Sequence, residues 1–132
     1  MRTLFAAFAI ALVSQAPAGM LAAQAPPPQV VSVALSSFKF APAELRLRQG
    51  QAYRLHLINT SGGGHDFAAP EFFAASSIAA GDRGLVVNGK VKLAGKHSVD
   101  IALTPGKAGT YPLRCTHFLH SSMGMSGRII VE

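Results

Sequence analysis

Short runs in which apolar residues alternate with polar ones, each stopped by Gly, Pro or Asn, constrain this chain more than any other feature. Val31, Val33 and Leu35 alternate with smaller or polar neighbours, and Leu45 and Leu47 alternate with Glu44, Arg46 and Arg48. Tyr53, Leu55 and Leu57 alternate with Arg54, His56 and Ile58; Val99, Ile101 and Leu103 repeat the pattern, and Ile129-Ile130-Val131 closes the chain. A two-residue period sends successive side chains to opposite faces of an extended strand, so each run buries one face and wets the other. Turn signals at Gln49-Gly50, Ser61-Gly62-Gly63-Gly64, Asn88-Gly89, Ala94-Gly95 and Pro105-Gly106 space the runs as in a β-sandwich. The expectation is an all-β, mostly antiparallel fold. The stretch from Pro70 to Ile78 breaks the pattern: it is Ala-rich and opens with Pro, and reads as a short helical excursion between strands.

With 49% hydrophobic and 14% charged residues in 132, the chain has material for one compact core and does not read as disordered. Its 12 Lys and Arg against 6 Asp and Glu make it basic, which suits an acidic partner surface or anionic lipid. Nucleic acid is not expected as a partner, because the basic residues are scattered, aromatics are only 8% and Trp is missing.

Residues 1–25 read as an export signal. Arg2 precedes the apolar run Leu4 to Val13, which at about ten residues is short for a bilayer span. Ala16-Pro17-Ala18 and Ala23-Gln24-Ala25 both fit the small-x-small rule for cleavage, and an uncleaved anchor giving membrane association is the alternative. Residues 26–29 form a Pro-rich linker and residues 30–132 a single domain, expected in the periplasm or otherwise exported and as a monomer. Loss of Arg2 with the leader takes the net charge from +6 to about +5, still basic.

Cys115 is the chain's one cysteine and so is not half of an internal disulfide. A free thiol in an oxidising compartment is a hazard unless something occupies it. The stretch from Cys115 to Met125 also holds His117, His120 and Met123. Thiolate, imidazole and thioether together make a soft to borderline site that favours copper over magnesium or calcium, and zinc has little use for thioether. A loop this short does not easily close a site alone, and His65, after the glycine turn at the end of a strand, is the candidate ligand from elsewhere. His56 and His97 read as surface strand residues.

The segment resembles the copper loop of the cupredoxins: Tyr111, Cys115, His120 and Met125-Ser126-Gly127 stand in the family's order, ahead of a final apolar strand. Pro105 to Pro112, Phe38 to Glu44 with Gly50, and Asn59 before His65-Asp66-Phe67 extend the likeness over nearly everything from Val30 to Glu132. The resemblance implies a Greek-key antiparallel sandwich and one copper ion cycling between Cu(II) and Cu(I). His65, Cys115 and His120 would be its equatorial ligands and Met125 its axial one. Met123 competes with Met125, and His117 with His120. Where many cupredoxins carry Asn after the first histidine, this chain has Asp66. Its carboxylate is expected to accept a hydrogen bond from Thr116 and so to favour Cu(II).

What the resemblance implies for function is single-electron shuttling between extracytoplasmic redox partners, with Phe118, Leu119 and Met123 beside His120 as a docking patch. Copper handling by a periplasmic carrier or resistance protein is the alternative. Catalysis is not expected, since the sequence offers no third residue to orient a Cys115–His120 nucleophile pair and a two-copper oxidase centre needs a second cysteine.

Overall fold

The computed structural model describes Ser14 and residues 18–117, 120 and 123–132. Most of residues 1–25, expected to be an export signal, together with Phe118 and Leu119 of the expected docking patch, lie outside the described residues.

The elements run in chain order as β1 (Gln29–Ser36), β2 (Lys39–Ala41), β3 (Glu44–Leu47), β4 (Tyr53–Asn59), β5 (His65–Ala68), α1 (Pro70–Ala74) and β6 (Ser76–Ile78). A 3-10 segment (Ala80–Leu85) follows, then β7 (Lys90–Leu93), β8 (Ser98–Pro105), β9 (Gly109–Arg114) and β10 (Ser126–Val131). They form two five-stranded sheets, ordered β2-β1-β4-β8-β6 and β3-β10-β9-β5-β7. The alternating runs line the interior as their period requires: Val33, Leu35, Leu45, Leu47, Leu55, Leu57, Ile101 and Ile129 are all buried in one core. Phe40 and Phe67, from opposite sheets, meet edge to face at the centre with ring centroids 6.0 Å apart, a geometry that aromatic quadrupoles favour.

Three sequence expectations are refined. The sandwich is mixed, because β1 pairs parallel with β4 and β3 parallel with β10, while the other strand pairs are antiparallel. These pairings join segments far apart in the chain, which local alternation does not report. The excursion is helical only over Pro70–Ala74; Ser76–Ile78 is a strand on the edge of the first sheet, paired with β8. His97 lies on the exposed turn between β7 and β8, not within a strand, with Nδ1 2.8 Å from the Gly95 carbonyl. His56 sits on β4, half-buried, with Nδ1 2.9 Å from Asp100.

One turn and one close approach fix the strands that flank the last loop and β5. Asn88 and Gly89 both have positive φ (51° and 71°), as a two-residue type I′ hairpin turn demands, and lead into β7. At Gly127 a Cβ would lie 2.2 Å from the Ala43 carbonyl oxygen. Only glycine therefore lets β10 leave the last loop so close to the chain entering β3.

Candidate metal centre

His65 opens β5, whose residues His65, Asp66, Phe67 and Ala68 are all buried. Its position depends on Asn59, a fully buried amide at the end of β4. Asn59 donates to the carbonyls of Gly63 (2.8 Å), Leu93 (3.3 Å) and Ala94 (3.2 Å), and accepts from the Ser61 N–H (3.0 Å) and hydroxyl (2.8 Å). One side chain thus ties the glycine turn before His65 to the end of β7, the strand beside it. A buried amide with its groups satisfied rigidifies what it joins.

Cys115 follows β9 directly and is fully buried. Its N–H donates to the Met125 carbonyl (3.2 Å), the Met125 N–H to the His120 carbonyl (2.9 Å) and the His120 N–H to the His117 carbonyl (3.1 Å). These three bonds draw the backbone of Met125 and His120 back toward Cys115 and His117.

These supports bring three donor atoms together. His65 Nδ1 lies 3.2 Å from His120 Nδ1 and 3.9 Å from Cys115 Sγ, and His120 Nδ1 lies 3.4 Å from that sulfur. Ligands held at about 2.0–2.3 Å from one ion would stand about this far apart, and two imidazoles with one thiolate are a donor set suited to copper. The residues present fit the ion.

Met125 is fully buried, whereas Met123 is 58% exposed. His117 is exposed; its ring stacks on His120 with centroids 5.3 Å apart and planes at 21°. The half-buried ring of His120 also takes the edge of Phe38, centroids 5.1 Å apart. Phe38, together with the glycine turn and the three histidines, lines the shallow cavity over the site. In the sequence Phe38 stands only within a family pattern; its positive φ (60°) belongs to a turn that alternation does not signal.

The electrostatics of the cluster bear on whether its donors can take a cation. Burial lowers the His65 pKa from its ordinary value; His120 and His117 lower it further, and Asp66 partly offsets them. These effects disfavour the protonated imidazole, the form that cannot bind a cation. Burial raises the Cys115 thiol above its usual value, against backbone N–H groups of Asp66 and His117 that lower it. A bound cation would displace that proton and leave the thiolate. Asp66, only 1% exposed, accepts the Thr116 N–H at 2.7 Å on Oδ1 and the Thr116 hydroxyl at 2.5 Å on Oδ2. The expected bond to Thr116 is present, doubled, and links the segment carrying His65 to the one carrying Cys115.

The chain matches the model of the cupredoxin-like domain over residues 3–131. No curated protein matches it at a significant level. Among solved structures it is similar to the dithionite-reduced auracyanin of the photosynthetic bacterium Roseiflexus castenholzii, at 19% identity and a TM-score of 0.60, covering 81% of this chain and 99% of that one. Auracyanin B gives 22% identity and a TM-score of 0.58 over 83% of this chain and 93% of that one. Auracyanin A of Chloroflexus aurantiacus, described as a blue copper protein, gives 17% and 0.56 over 80% and 100%. At these identities the structural likeness speaks for the fold.

Proposed function

Because the chain belongs to the cupredoxin-like family, we propose that it is a carrier, not a catalyst, that passes single electrons through one copper ion held by His65, Cys115, His120 and Met125. The observation that carries this reading is the convergence of two imidazoles and one thiol, each from a braced backbone position, with their donor atoms within 4.8 Å of one another. Copper in such a set accepts and releases one electron between Cu(II) and Cu(I). The chain's part is to keep the donors where they are in both states. Asn59 holds the His65 segment, Asp66 and Thr116 lock it to the Cys115 segment, and the folded loop fixes His120. Met125 would supply the thioether donor, since it is buried at the loop's end and Met123 faces solvent. His120, half-buried and edged by Phe38, is the point of electron entry and exit.

The partner is a redox protein with an acidic docking surface. Among the described residues the ion pairs engage only Arg46, Arg128 and His56 as cations. Lys39 beside Phe38, Lys92 across from Asp66 and Arg114 beside Cys115 are exposed. They would steer an acidic surface toward this pole. Residues 1–25 would direct export to the periplasm or another extracytoplasmic space, and residues 26–29 would tether the domain if the leader is kept. Copper handling is the second reading, favoured by exposed His117 stacked on His120, which would offer a passing ion a first ligand.

Voltammetry of the copper-loaded protein tests the proposal. A reversible one-electron wave, with fast exchange that slows on adding salt in the presence of an acidic partner, is expected. Copper held only as Cu(I), with no wave, would replace electron transfer by copper handling.

A further inference from the structure

A carboxylate as buried as Asp66 is costly unless something compensates its charge, and no cation touches it directly among the described residues. The compensation comes through Thr116. Its hydroxyl carries a single proton, and that proton is given to Asp66 Oδ2. The hydroxyl oxygen is then free only to accept, and Lys90 Nζ donates to it at 3.2 Å. The chain Lys90 to Thr116 to Asp66 therefore runs in one direction, each bond polarising the next.

The register explains why Lys90 fills this place. β7 and β9 flank β5, and Lys90 and Arg114 both pair with Ala68. Ala68 is small and only 3% exposed although it stands on the outward phase of β5, which suits a lysine stem laid across it toward Thr116. Lys92 stands opposite Asp66 itself, yet it is exposed and makes no such bond among the described residues.

We propose that Lys90 is the counter-charge of Asp66 and, through Thr116, a positioning residue that fixes Cys115 and holds the copper potential up. The part concerning potential rests on the copper reading above; the part concerning Asp66 does not. The test begins with a double-mutant cycle on the metal-free protein, unfolded in denaturant. Lys90→Gln is expected to lower the folding equilibrium constant about fivefold beside Asp66 and less than twofold in the Asp66→Asn background. Lys90→Arg should restore most of the loss, and Lys92→Gln should show no coupling to Asp66. If Asp66→Asn does not fold, Thr116→Val replaces it in the cycle. On the copper-loaded protein, Lys90→Gln should lower the reduction potential, with Lys90→Arg near wild type. Equal losses in both backgrounds, or coupling from Lys92 as large as from Lys90, would overturn the proposal. A sound cycle with no copper wave at all would leave the Lys90 assignment standing and remove the copper reading instead.

Discussion

β4 and β5 lie in opposite sheets of one sandwich and obey different rules. Along β4, Tyr53, Leu55, Leu57 and Asn59 are buried while Arg54, His56 and Ile58 face outward. That is the pattern of a strand with one wet face. Along β5 nothing faces water: His65 and Phe67 are buried, and so are Asp66 and Ala68 on the other phase. β4 is held mainly by transfer of apolar surface. β5 sits between β7 and β9, and on its second face Asp66 is bound by Thr116. Where a polar residue such as Asp66 is buried on a strand's outward phase, the neighbouring segments must satisfy it.

Mutations can break this contrast. The largest effect is expected at the site: Cys115→Ser should weaken copper binding by at least about 100-fold, beyond the loss typical of a mere supporting residue, and abolish any thiolate-to-copper band. Titration followed by visible absorption measures both. On β4, Leu57→Ala should cost about 2–5 kcal/mol of folding stability in denaturant melts and leave the band of the folded protein unchanged. Asp66→Asn should raise the reduction potential, on the order of 60 mV for a tenfold change in relative Cu(II) to Cu(I) affinity. An unchanged potential would make Asp66 purely structural.

A smaller effect is expected from pH on the metal-free protein. His65 has its pKa lowered by folding from 6.5, so in the window just below that value the unfolded chain binds the proton first. Stability should therefore fall as pH drops through 6.5 toward the folded pKa and level off below it. Cys115 has its pKa raised from 9.0, so the unfolded thiol ionises first and stability should also fall as pH rises above that value. Denaturant midpoints across pH measure both, and His65→Gln should remove the acid limb. The smallest change belongs to the wet face of β4: Arg54→Ala should stay within about 0.5 kcal/mol of wild type.

The same contrast decides how much of the molecule is legible in its sequence. β1, β3, β4 and β8 announce themselves because each has a wet face and therefore a period of two, and β10 as an apolar run that closes the chain. β5 has none, and its four residues read only as the end of a glycine turn. β7 is signalled by its Asn88-Gly89 turn, but four residues are too few to carry a period. β6 is hidden behind the Pro and Ala of α1, since three residues at a sheet edge bury too little to leave a mark. The site is more legible than its frame. Donor chemistry depends on residue type, so the proposed ligands His65, Cys115, His120 and Met125 stand out, and the Asp66–Thr116 bond is foreseeable from one departure in a family pattern. Phe38 against His120 and Lys90 behind Thr116 are not, because both arise from turns and registers that join distant segments.

The most direct test of the copper centre is a titration of the purified metal-free domain with Cu(II), followed in the visible range and then challenged with a reductant and an oxidant. The account predicts saturation at one ion per chain, with an intense thiolate-to-copper band that bleaches and returns reversibly. Copper binding without that band, or a band that persists in Cys115→Ser, would contradict it.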